Sequence, residues 1–90
     1  MILQRPSFER AYKKLTMAQQ SAVDVALAKL EASFGHPHLH AGIGVRSIGN
    51  YFECRAGLQL RILFVARSGD LVLVTVGNHD AIRAFIKSSG

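Results

Sequence analysis

The chain has 90 residues, 49% of them hydrophobic and 19% charged, a balance that excludes a disordered tail and predicts one compact domain spanning 1–90. Eleven Lys and Arg against six Asp and Glu leave a net charge of +5, which favours polyanions or an acidic protein as partner. The lone cysteine, Cys54, excludes an internal disulfide. No apolar run nears the roughly 20 residues of a bilayer span, and the opening residues lack the apolar core of a signal peptide; a soluble, cytoplasmic protein without a membrane partner is expected.

In chain order, Ile2-Leu3-Gln4 reads as a short strand that ends before Pro6. Ser7 is the expected cap of a short helix whose apolar stripe is Phe8, Ala11, Tyr12 and Leu15. Arg10, Lys13 and Lys14 fall off that stripe and form a solvated basic face, open to nucleic-acid phosphates. Thr16-Met17-Ala18-Gln19 has the form of a capping box, in which hydroxyl and amide side chains satisfy each other's backbone N–H groups. The helix it opens carries Val23, Ala26, Leu27, Leu30 and Phe34 on one face, and Gly35 and Pro37 supply its stop. The two helices make a hairpin with one face to bury.

His36, His38 and His40 alternate around Pro37. Imidazoles suit zinc, but no Cys or acidic residue stands near to complete four ligands, so no metal and no cofactor is expected. A loop near a substrate is the other reading of these histidines. Gly42-x-Gly44 follows no strand and opens no long helix, so it is not a nucleotide-binding fingerprint.

From about Val45 the apolar period changes to two. Phe52, Cys54, Leu60, Ile62 and Phe64 alternate with Tyr51, Glu53, Arg55, Arg61, Leu63 and Val65, with a Gly57-containing turn between the two runs. Ser68-Gly69-Asp70 then leads into Leu71–Val76, giving an antiparallel meander of three strands. Burial selects the register: Arg55 opposite Arg61 and Glu53 opposite Leu63 keep Phe52, Ile62 and Phe64 on the face covered by helices. The two arginines then share the face expected to be free of helices, where like charges side by side favour an anion between them. Glu53 reads as a partner of Arg55 or Arg61, and Cys54 as a buried, inert thiol. After Gly77, Asn78 suits a helix cap and Asp80 the first turn, and Ile82, Phe85 and Ile86 give the last helix its apolar stripe. His79 is thus placed at a helix N-terminus, a position that itself attracts anions. The fold class is α+β: an N-terminal helical hairpin on an antiparallel meander, with a short C-terminal helix.

This order of elements resembles the RelE/ParE superfamily of toxins. The resemblance is carried by Phe8–Leu15, Tyr51-Phe52-Glu53-Cys54-Arg55, Leu60-Arg61-Ile62-Leu63-Phe64 and Val76-Gly77-Asn78-His79-Asp80, and it spans nearly the whole chain. It implies a toxin of a type II toxin–antitoxin system, neutralised by a cognate acidic antitoxin. The RelE-like branch implies a ribosome-dependent endoribonuclease that cuts mRNA in the ribosomal A site, with the 2′-hydroxyl as nucleophile and no metal or cofactor. The ParE-like branch implies inhibition of DNA gyrase without nuclease activity. By position, Arg61 matches the phosphate-stabilising arginine, with Arg55 beside it, and His79 matches the residue after the last strand that serves as general acid. Arg10, Lys13, Lys14 and Arg46 are the expected contacts to mRNA and ribosomal RNA.

Overall fold

The computed structural model describes residues 1–33 and 44–89. Phe34, the Gly35 and Pro37 stop signals, the three alternating histidines and Gly42 lie outside the described residues. The elements are β1 (Ile2–Gln4), α1 (Pro6–Lys13), α2 (Met17–Ser33), β2 (Arg46–Ile48), β3 (Tyr51–Ala56), β4 (Leu60–Arg67), β5 (Asp70–Gly77) and α3 (His79–Ser89). Among the described residues no helix is long and apolar enough to cross a membrane.

The sheet is five-stranded, in the order β1-β5-β4-β3-β2. The expected meander of β3, β4 and β5 forms its centre, with Glu53 opposite Leu63 and Arg55 opposite Arg61. The sheet as a whole is mixed, not antiparallel: β1 runs parallel to β5, pairing Ile2 with Leu71 and Gln4 with Leu73. The hairpin β2–β3 adds a further antiparallel strand at the other edge. Between β4 and β5, Arg67 pairs with Asp70, and Ser68 and Gly69 both take positive φ (52° and 83°). That conformation suits a two-residue hairpin, because it matches the right-handed twist of the strands it joins.

Proline supplies the start of α1. Pro6 occupies its first turn and Arg5 its N-cap without a side-chain cap; proline is preset for that position and has no N–H to leave unsatisfied. Ser7 is therefore not the cap. Its hydroxyl instead donates to the backbone carbonyl of Val74 on β5, the residue skipped where the β4–β5 register shifts between Leu63 and Phe64. The capping box of α2 forms as the spacing predicts: Gln19 N–H donates to Thr16 Oγ1 at 3.1 Å, and Thr16 N–H donates to Gln19 Oε1 at 2.9 Å. Tyr12 Oη donates to Asp24 Oδ1 at 2.9 Å, fastening α1 to α2.

Both faces of the sheet are covered. The hairpin buries Phe8, Val23, Ala26 and Leu30 on Cys54, Ile62, Phe64 and Leu73, each large side chain contributing about 1.5–3 kcal/mol. On the other face, Ile82 of α3 packs with Leu63 and Val74, flanked by Phe85 and Tyr51. The expectation of a helix-free second face is thus corrected: α3 lies there. The near-continuous apolar runs of β4 and β5 are what a strand buried on both sides requires.

Candidate active site

Strand pairing brings the chemistry of two distant segments together. Arg61, at the start of β4, is the cross-strand partner of Gly77, the last residue of β5. One residue later Asn78 caps α3: its Oδ1 accepts from Ala81 N–H at 2.8 Å and its carbonyl accepts from Ile82 N–H at 3.0 Å. His79 and Asp80 follow in the first turn. The result is a shallow cleft of about 280 Å³ lined by Leu58, Gln59, Arg61, Asn78, His79 and Asp80. A guanidinium, an imidazole and a helix N-terminus converge on it, the combination that binds an oxyanion.

Gly77 lets the helix begin so close to the sheet. A Cβ there would lie 2.9 Å from the Cβ of Ala81, nearer than two carbons approach.

Arg61 is held from behind by Glu53. This carboxylate is buried at 1% exposure, accepts from Arg46 Nε at 2.7 Å and from Arg61 Nη1 at 3.4 Å, and so ties three adjacent strands. Arg46 was expected on RNA; its Nε is instead committed to Glu53, although the side chain remains 56% exposed. Arg61 is half-buried, so that part of its guanidinium remains accessible. Glu53 Oε2 is buried and finds no hydrogen-bond partner among the described residues.

Arg55 goes elsewhere. It faces Arg61 in register, yet its guanidinium lies against Gly44, where a Cβ would meet its Nε at 2.8 Å. It lines a separate, larger cleft of about 570 Å³ with Ser21, Ala22, Val25 and Lys29 of α2. The expected sharing of one anion by the two arginines therefore does not arise from this arrangement. Glu53 draws Arg61 to one side, and Arg55 forms no ion pair among the described residues. Arg10 and Lys13 of α1 and Lys14 at its C-cap are exposed; α1 covers the opposite face of the sheet from α3.

Cys54 is fully buried, and burial, with Glu53 beside it in sequence, pushes its thiol up to about 12. It is no nucleophile at neutral pH. Among the described residues no group of three or more His, Cys, Asp and Glu side chains is gathered to hold a metal.

Sequence reasoning missed the double role of Glu53. The signal for it was Gly49-Asn50, a hairpin dipeptide between Ser47-Ile48 and Tyr51-Phe52, which puts Arg46 opposite Glu53.

Compared with solved structures, the chain has the fold of RelE-like toxins. It is similar to the toxin–antitoxin complex RelB-RelE from Methanococcus jannaschii (TM-score 0.69, 15% identity, covering 92% of this chain and 96% of that one). It is also similar to YafQ from E. coli (0.69, 15%, 91% and 96%). A third likeness is to the YoeB-YefM toxin-antitoxin heterotetramer from Staphylococcus aureus (0.63, 17%, 88% and 95%). No protein-family model and no curated protein matches the chain.

Proposed function

We infer that this chain is the toxin of a type II toxin–antitoxin pair and a ribosome-dependent endoribonuclease that cuts mRNA without a metal. The observation that carries the reading is the cleft joining Arg61 to His79 at the N-terminus of α3, in a chain with the RelE-like toxin fold. Solved relatives of that fold sit in complexes with antitoxins, and a net charge of +5 suits an acidic one here.

In the reaction, the 2′-hydroxyl oxygen bonds to the adjacent phosphorus and the bond from phosphorus to the 5′-oxygen breaks, leaving a 2′,3′-cyclic phosphate and a free 5′-hydroxyl. Negative charge builds on the phosphate oxygens, and the Arg61 guanidinium with the α3 amides offsets it. His79, in its protonated form, gives its proton to the departing 5′-oxygen. The proton released by the 2′-hydroxyl needs an acceptor; Asp80, which lines the same cleft, is the one we assign.

The test is induction of the wild type and of the Arg61→Ala and His79→Ala variants, with primer-extension mapping of transcripts. Cuts that depend on translation and vanish in both variants are expected. Intact transcripts together with inhibited gyrase in a supercoiling assay would overturn the nuclease reading.

A further inference from the structure

Arg46 and Glu53 do not line the cleft of Arg61 and His79, yet they bear on how the guanidinium in that cleft is held. Glu53 offers its neighbours a single oxygen. Its Oε2 is buried without a hydrogen-bond partner among the described residues, and both arginines meet Oε1. Arg46 Nε reaches that oxygen at 2.7 Å, the length of a full charge-assisted hydrogen bond. Arg61 Nη1 stands at 3.4 Å, beyond the usual limit of about 3.2 Å for such a bond. Arg46 is therefore the principal counter-charge and Arg61 the loosely held one, although Arg46 is the more exposed of the two, 56% against 27%.

We propose that Arg46 is a positioning residue for Arg61: by occupying Glu53 Oε1 from the edge strand β2, it keeps the buried carboxylate from capturing the guanidinium that faces the cleft. This rests on the reading that Arg61 holds a phosphate. A carboxylate buried to 1% exposure is strongly destabilising without a counter-charge, and among the described residues Arg46 and Arg61 are the two cations paired with it. When Arg46 is removed, Arg61 closes onto Oε1. The apparent affinity of the cleft for an anion then falls in proportion to the fraction of molecules whose Arg61 still faces it. Glu53 is too deeply buried to meet the substrate itself and acts through the two arginines. A neutral amide at this position keeps the shape and an acceptor oxygen but attracts a guanidinium less than a carboxylate does. With Glu53 made neutral, Arg46 is no longer needed, a reversal that a merely structural ion pair does not produce.

The experiment titrates inorganic phosphate into the intact protein and its variants, each checked for folding by circular dichroism, and follows the backbone amide signals of His79 and Asp80. Arg46→Ala should weaken phosphate by about threefold or more. Glu53→Gln should bind it at least as tightly as the wild type, and the double variant Arg46→Ala/Glu53→Gln should return to within about twofold of the wild type. Arg46→Lys, which keeps the counter-charge, should also stay within about twofold and serves in place of Arg46→Ala, compared with Arg46→Gln, if the alanine variant does not fold. Arg67→Ala removes the same charge from the far end of β4 and measures the loss due to net charge alone. A loss in Arg46→Ala no greater than in Arg67→Ala, or a double variant as weak as Arg46→Ala, overturns the proposal while leaving the role of Arg61 intact. If Arg61→Ala and the wild type respond to phosphate alike, Arg61 holds no phosphate and the reading falls together with the proposal. No step of the test involves mRNA cutting, so the two failures are told apart by which variant is silent.

Discussion

Arg61 on β4 stands across from Gly77, the residue at which β5 gives way to α3. This one cross-strand pair sets the guanidinium beside the first turn of a helix that begins 18 positions later in the chain. The approach depends on the missing side chain at Gly77, since a Cβ would strike Ala81.

Gly77→Ala is therefore expected to lower stability by about 1–3 kcal/mol through overpacking and to shift the start of α3. Thermal denaturation reads the first effect and the backbone amide signal of His79 the second. RNA cleavage should fall with the shift, although neither Arg61 nor His79 is altered. A variant that melts like the wild type with an unmoved His79 signal would show that α3 does not rest on this glycine.

The Arg46–Glu53–Arg61 cluster gives a second expectation. Removing the buried carboxylate by Glu53→Ala leaves two guanidinium groups facing each other without a counter-charge, at a cost of about 1–3 kcal/mol because both arginines still reach water. Double-mutant cycles by urea denaturation should find stronger coupling for Arg46 with Glu53, at 2.7 Å, than for Arg61 with Glu53, at 3.4 Å. The reverse order would mean that Arg61 is the principal partner and has little freedom to hold a phosphate.

Much of this was legible in the residues. The capping box at Thr16, the cap at Asn78, the helix stripes and the register of β3 on β4 all follow from local chemistry and from keeping charge out of one face. Other features depend on partners far along the chain. β1 is three residues without a period of its own, and its parallel pairing with β5 arises only once the helical hairpin has crossed over the sheet. The second apolar layer needed Ile82 to be placed against Leu63 and Val74, which alternation in the strands alone does not reveal. The divergence of Arg55 from Arg61 was equally out of reach, because register fixes where a Cβ points and not where a long guanidinium side chain is drawn.

Asn78 separates helix capping from anion binding. Asn78→Ala removes the bond to Ala81 N–H and is expected to cost about 1 kcal/mol. Asn78→Asp keeps a good cap, so stability should stay within about 0.5 kcal/mol of the wild type. It also adds a negative charge to the wall of the Arg61–His79 cleft, and RNA cleavage should fall roughly tenfold by repulsion of the phosphate. Equal activity of Asn78→Asp and the wild type would argue that no phosphate lies beside this helix end.

Cys54 offers a test of the core that is independent of function. The folded protein keeps the thiol protonated up to about pH 12, chiefly because burial disfavours the thiolate and secondarily because Glu53 is near. An exposed thiol ionises near 9, so between these values the unfolded chain has released a proton that the folded one retains. The contribution to stability is therefore fully present below about pH 9 and is lost as pH rises toward about 12. Cys54→Ala, which has no thiol to titrate, should be the less stable protein at neutral pH, by roughly 1–2 kcal/mol from the small cavity it leaves. Its deficit relative to the wild type should shrink as the solution becomes alkaline, a comparison that cancels the tyrosines and lysines common to both chains. Denaturant titrations of the two proteins at neutral pH and near pH 10 measure the change directly, and an aromatic disulfide reagent should label Cys54 slowly in buffer and at once in urea. A deficit that stays constant with pH, or rapid labelling of the folded protein, would place the thiol at the surface and remove it from the layer beneath α1 and α2.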